Sequence, residues 1–231
     1  WHFLIFGVLP YVVIAVLILG SLARFVLAPF SWKSQSSEIL DKKDIFWGAN
    51  LFHIGVIFLF CGHCFGLFTP TEWLNAAGLT PRLHQMMEII CGGLSAIVAI
   101  TGLIILTWRR LTNERVRAAS RPSDFWVLFL LLAVIILGIG CVVNSYLYDK
   151  SGATIILLGG WVRGLFSFDY QAWQNILLVP DWQKGHIFVG LIIFLIVPFT
   201  RLVHIWSGYL SVFYLIRPHQ IMRANNGKPM K

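Results

Sequence analysis

The stretch Ile45–Leu67, IFWGANLFHIGVIFLFCGHCFGL, carries no charged residue and two histidines, His53 and His63. It is longer than the roughly 20 apolar residues a helix needs to cross a ~30 Å hydrocarbon layer. It shows no period-two alternation, and only helices or closed barrels satisfy their backbone inside lipid, so it reads as a membrane-spanning helix. Four more runs of the same kind follow from the sequence: Phe3–Leu27, His84–Trp108, Phe125–Tyr148 and His186–Ile205. Together they predict an all-α integral membrane bundle of five transmembrane helices. The first run begins next to Trp1 without a basic leader and reads as a span, not a cleaved signal.

Composition supports this reading. The chain of 231 residues is 58% hydrophobic and 12% charged, with a mean hydropathy of +0.76. Soluble domains carry roughly a quarter charged residues and under half apolar ones. A soluble enzyme domain, a disordered tail and a disulfide-stapled secreted module are therefore excluded. The net charge of +8 does not call for nucleic acid as a partner, because membrane proteins concentrate Lys and Arg in cytoplasmic loops. Of the 18 basic residues, only Arg82, Lys150, Arg163 and Lys184 fall on one side of the five-span topology; the first loop, the third loop and the C-terminal tail hold the rest. The asymmetry predicts an N-terminus outside (periplasmic) and a C-terminus in the cytoplasm, in a multi-pass protein of a bacterial or archaeal cytoplasmic (inner) membrane.

The long connection Lys150–Lys184 reads as an outer-face loop with a short interfacial helix. Trp1, Trp47, Trp73, Trp126, Trp161, Trp182 and Trp206 lie near span ends, where an interfacial aromatic belt belongs. His2 and His219 read as ordinary surface residues. Cys61, Cys64, Cys91 and Cys141 all fall in apolar runs and read as buried thiols. No His follows Cys64, so Cys61–Cys64 is not a thioether haem-attachment motif, and any haem would be held without covalent bonds.

The histidines carry the chemistry. His53 and His63 lie in the second run, and His186 and His204 in the fifth; ionisable groups inside a membrane are costly and usually functional. On a straight helix His186 and His204 share a face about 27 Å apart, and His53 and His63 lie about 15 Å apart, roughly 80° around the axis. The two helices are antiparallel, so His53 falls at the level of His204 and His63 at that of His186. One His pair per leaflet is the arrangement expected for two six-coordinate haems b, although the two spacings differ by about 12 Å. Zinc would need the four rings to converge. Arg201 precedes His204 by three residues, and Arg109 and Arg110 end the third run at the same level; Arg201 and Arg110 are candidates for haem propionates.

Asn50-Leu-Phe-His53-x-Gly55, Gly62-His63-x-x-Gly66 with Pro70, and Pro198-Phe-Thr-Arg201-Leu-Val-His204-Ile-Trp-Ser207 closely resemble the gamma subunit of respiratory membrane-bound nitrate reductase. The resemblance extends to Ser36-Ser37-Glu38-Ile-Leu-Asp41, Arg109-Arg110-Leu111 and Arg115-Val-Arg117-Ala. It covers essentially the whole chain, with Lys150–Lys184 least alike. It implies that residues 1–231 form one transmembrane dihaem cytochrome b domain. Such a subunit oxidises ubiquinol or menaquinol near the outer face and passes electrons through two non-covalent haems b. The acceptors are an iron–sulfur (beta) subunit and then a molybdenum catalytic (alpha) subunit, so nitrate chemistry is not expected on this chain. Matched residue by residue, His63 and His186 would ligate the distal haem, and His53 and His204 the proximal one. Arg110 matches a family arginine expected near proximal-haem propionates.

The family's quinol site uses a lysine at the outer start of the third helix, and His84 stands at that position here. An imidazole can hydrogen-bond a quinol oxygen and accept its proton, so His84, assisted by Arg82 or Gln85, is the expected quinol site. The same cytochrome type serves nitrite oxidoreductase-type and sulfur or heterodisulfide reductase-type complexes, which this chain alone does not distinguish. A cofactor-free anchor or transporter is the remaining alternative; no inverted repeat supports it.

Overall fold

The computed structural model describes residues 1–28, 31–32 and 45–206. Residues 36–41, Ser207, His219 and the basic residues Lys33, Lys42, Lys43, Arg217, Arg223, Lys228 and Lys231, which the sequence reading used, lie outside the described residues. The described elements are helical, with no strand among them. Helix α1 (Leu9–Leu27) continues a π-helical opening turn at Phe3–Val8; α2 spans Ile45–Phe68. Two short helices, α3 (Thr71–Ala76) and α4 (Pro81–Met87), lead through a π-helical segment, Glu88–Gly92, into α5 (Gly93–Thr112). After α6 (Glu114–Ala118) come α7 (Pro122–Tyr148), α8 (Ala153–Phe166), a 3-10 segment at Ala172–Leu178 and α9 (Asp181–Ile196). Five stretches are long and apolar enough to cross a membrane: Phe3–Leu27, Ile45–Phe68, Pro81–Thr112, Pro122–Tyr148 and Asp181–Phe199.

The third span starts earlier than its hydropathy suggests, because Thr80 caps α4 by accepting from the Leu83 N–H and Pro81 occupies its first turn. The fifth span departs more. Its helix ends at Ile196 and does not run to Ile205; Pro198 lacks the N–H a helix needs there. Two 3-10 turns follow, Val197–Phe199 and Arg201–Val203, separated by extended backbone at Thr200. The straight-helix spacing of His186 and His204 therefore does not apply, and the break is where the register between the two histidines is reset. It also frees carbonyls that must find donors. Arg24 of α1 supplies them, donating from Nη1 to Pro198 O (2.7 Å) and Thr200 O (2.8 Å).

Small residues let α2 and α5 come together, as helices do where lipid removes any hydrophobic drive between them. A Cβ on Gly55 would lie 2.5 Å from the Ala99 nitrogen, and one on Gly102 would collide with the Phe52 backbone. Ala99 and Leu103 are fully buried in that seam.

The connection between the fourth and fifth spans is more than an interfacial loop. Helix α8 and the 3-10 segment bury Trp161, Val162, Leu165 and Ile176 against Phe6. Trp161 is 7% exposed and donates its indole N–H to Phe6 O at 2.8 Å. It is thus a core residue and not a belt anchor, whereas Trp1, Trp47, Trp73 and Trp126 are exposed. The four thiols are free, but Cys61 and Cys91 stand on the outside of the bundle, which corrects their reading as buried.

Gly102→Leu is expected to force α2 and α5 apart and to destabilise the fold by about 2–3 kcal/mol. Gly92→Ala, whose new methyl would meet open space, is expected to leave thermal melting unchanged or slightly raised. Melting of the two variants in the same detergent checks both.

Candidate functional site

The four histidines of the apolar spans come together as two pairs. His63 and His186 have ring centroids 6.0 Å apart with planes at 23°. His53 and His204 have centroids 6.2 Å apart with planes at 66°. Ring pairs are often found at such separations, so the meaning comes from the polarity of the nitrogens. His53 Nδ1 lies 2.7 Å from Ala49 O, and His63 Nδ1 lies 2.7 Å from Leu59 O. His186 Nδ1 lies 2.9 Å from Val134 O, and His204 Nδ1 lies 2.6 Å from Arg201 O. A carbonyl can only accept, so each Nδ1 carries the proton, and Nε2 is the ring nitrogen with the lone pair a metal can take.

The centroid separation is what can be tested against a metal held between two such rings. A metal–imidazole nitrogen bond is about 2 Å and a ring nitrogen sits about 1 Å from the ring centroid, so two imidazoles across one metal have centroids about 6 Å apart. The carbonyl partners are the outer-shell contacts that fix tautomer and ring orientation in such ligands. Among the described residues no three His, Cys, Asp or Glu side chains converge. Two imidazoles per couple would fit the two axial positions of a haem b better than a tetrahedral zinc ion. The backbone beside the His63–His186 couple is unobstructed: added Cβ atoms on Gly62, next to His63, and on Gly190, one turn from His186, would meet nothing within 4 Å.

Arg110 and Arg201 also come together, on Asp124 at the start of α7. Arg110 Nη1 lies 3.1 Å and Arg201 Nη1 3.9 Å from the Asp124 carboxylate. Asp124 is 5% exposed and also accepts the Arg121 N–H. Burial lowers the Arg201 pKa from its ordinary value, and Asp124 opposes that shift. The acid that gathers these two arginines was missed in the sequence, where Asp124 falls just before the fourth apolar run.

At the other end of α2, His84 is 4% exposed, and its Nε2 has no hydrogen-bond partner among the described residues. It lines a cleft with Gly66, Thr69, Leu74, Ile155 and Arg163. Arg163 donates to Leu67 O (3.2 Å) and Thr69 O (3.1 Å), satisfying the carbonyl end of α2. Arg82 and Gln85 turn away from the cleft, toward α7. Arg82 donates to the Gln85 oxygen (2.7 Å), and the Gln85 amide donates to Ser145 Oγ and Asp149 O, both at 2.8 Å. They hold α4 in place and leave His84 as the member of the sequence-derived trio that faces the cleft.

Asp149 locks the same corner. Its carboxylate accepts the backbone N–H groups of Ser151, Gly152 and Thr154 at 2.9–3.0 Å. Gly152 has φ +78°, and a Cβ there would sit 2.5 Å from Pro81 O, so glycine is needed for α8 to meet α4. Burial tends to raise the Asp149 pKa, but the hydrogen bonds from Thr154 and Ser151 outweigh it and hold the group well below the usual carboxylate range. A depressed folded pKa gives stability that is fully present above the unfolded value of about 3.9 and is lost as pH falls through the folded value. Asp149→Ala is expected to cost about 1–2 kcal/mol at neutral pH. The melting difference from wild type should shrink as pH drops below about 4, which a pH series of melting curves checks.

Comparison with known proteins completes the site. The family model of the nitrate reductase gamma subunit matches residues 2–225. The respiratory nitrate reductase 2 gamma chain of Escherichia coli (strain K12) is 36% identical over 219 residues, covering 95% of each chain. The respiratory nitrate reductase 1 gamma chain of the same organism is 35% identical, covering 96% of each. The nitrate reductase gamma chain of Bacillus subtilis (strain 168) is 35% identical, covering 96% of this chain and 98% of the relative.

Proposed function

The chain belongs to the nitrate reductase gamma subunit family, and we propose that it is the dihaem cytochrome b subunit that oxidises a membrane quinol for such a complex. It is a multi-pass protein of the inner membrane. The observation that carries the proposal is the pair of imidazole couples with ring centroids 6.0 and 6.2 Å apart, each ring held at Nδ1 by a backbone carbonyl. His63 and His186 would hold the distal haem, and His53 and His204 the proximal one. Bound there, the two haems supply one-electron carriers across the bilayer.

The chain's own residues do the rest. The α2–α5 seam fixes His53 and His63 on one rigid helix, so the two centres keep a constant separation. Arg24 stabilises the break that brings His204 to His53. Arg110 and Arg201, gathered by Asp124, provide positive charge near His204 for propionates. With the N-terminus outside, the basic residues of the third loop face the cytoplasmic partners, an iron–sulfur subunit and a molybdenum subunit. His84, buried at the cleft with a free Nε2, accepts a proton from ubiquinol or menaquinol. Nitrate is reduced on another chain of the complex.

A reduced-minus-oxidised visible spectrum of the purified complex, with haem b counted per gamma chain, tests the pairing. Wild type is expected to hold two haems; His63→Ala or His186→Ala should lose one and the same haem, and His53→Ala or His204→Ala the other. Retention of both haems in all four variants would overturn the ligand assignment. His84→Ala is expected to keep both haems reducible by dithionite while quinol-driven reduction slows by roughly 100-fold.

A further inference from the structure

Glu88 is the one acidic residue within the five apolar runs of the sequence, and no role above uses it. It sits one turn after His84 and opens the π-helical segment Glu88–Gly92, a local geometry that recurs at functional sites. Its Oε1 lies 3.8 Å from His84 Nε2, the buried nitrogen that lacks a hydrogen-bond partner. The two side chains differ in access: that of His84 is 6% exposed and that of Glu88 41%. One end of the couple thus lies in the cleft wall and the other reaches open surface. Gly66 makes the couple possible. A Cβ on it would collide with Glu88 Oε1 and come within 3.4 Å of His84 Nε2. The neighbouring charges are committed elsewhere, Arg163 to the α2 carbonyls and Arg82 to Gln85 and Asp149 O. The Phe65 ring, edge-on to His84 at 5.9 Å, closes another side.

We propose that Glu88 is the proton acceptor behind His84, forming with it a two-step exit for the protons of the quinol. The inference rests on the reading of the cleft as a quinol site. Oxidation of a quinol to a quinone releases two electrons, for which the haems that His63–His186 and His53–His204 would hold are the proposed carriers toward the partner subunits, and two protons, which must leave separately. For each proton, the O–H bond of the quinol breaks and an N–H bond forms at His84 Nε2. That N–H then breaks and an O–H forms at Glu88, directly after a small side-chain movement or through one bridging water. The neutral imidazole is restored for the second proton, and Glu88 releases each in turn to the outer surface. A lone imidazole would have to shed its first proton into a cleft wall before taking the second. The carboxylate removes that bottleneck.

The test uses the intact complex and a short-chain ubiquinol or menaquinol analogue. Glu88→Gln keeps the shape and removes the acceptor; it should preserve the dithionite-reduced haem spectrum and the affinity for a quinone analogue. Quinol-driven haem reduction should slow by roughly 10-fold or more, with Glu88→Asp recovering part of the rate. Infrared difference spectra on adding quinol should show a protonated-carboxyl C=O band in wild type that is absent in Glu88→Gln and shifted in Glu88→Asp. A wild-type rate in Glu88→Gln, or an infrared band that survives the substitution, would overturn the relay. If His84→Ala is slow in that case, the quinol site stands without Glu88. If His84→Ala is also unimpaired, the quinol reading of the cleft has failed and the relay with it.

Discussion

A neutral imidazole carries one N–H and one lone pair, and inside hydrocarbon both ask for a partner. In each of the four spanning histidines a backbone carbonyl takes the N–H, and the rings stand as two couples. That division of labour constrains much of the molecule. The carbonyls come from α2 itself, from α7 and from the broken end of the fifth span. Any shift of these helices relative to one another would undo a tautomer as well as a distance.

The packing serves that constraint. α2 carries one ring of each couple and is clamped to α5 at Gly55 and Gly102, where backbone meets backbone. The partner rings sit on a span that is not one helix. Its interruption at Pro198 costs backbone hydrogen bonds, and the Arg24 guanidinium offsets that cost by charge-assisted bonds to the freed carbonyls. At the end of the bundle where α2 finishes, α8 and the Asp149 turn seat α4, which presents His84 to the cleft.

Much of this was legible in the sequence, because a bilayer enforces a simple code. Apolar run length gave the five spans, and a histidine inside such a run stood out by its cost. The pairing of His53 with His204 and His63 with His186 followed from antiparallel order alone. The straight-helix arithmetic for His186 and His204 failed for a local reason: Pro198 and Thr200 break the helix, and a uniform rise cannot foresee where a chain resets its register. Trp161 misled because a tryptophan near a span end looks alike whether it anchors in the interface or packs on Phe6. Glu88 was open to the same cost argument that singled out the histidines, yet only its distance from His84 gave it a partner. Arg82 and Gln85 were placed beside His84 by sequence proximity, but successive helical residues point in different directions. The two turn to α7, while His84 faces the cleft.

The most direct measurement of the central claim is an experimental structure of the intact complex at a resolution that resolves side chains. The account predicts one porphyrin between His63 and His186 and a second between His53 and His204. In each, both Nε2 atoms would ligate the metal and both Nδ1 atoms would remain on their carbonyls. A single porphyrin, or a metal held by any other pair of side chains, would contradict it.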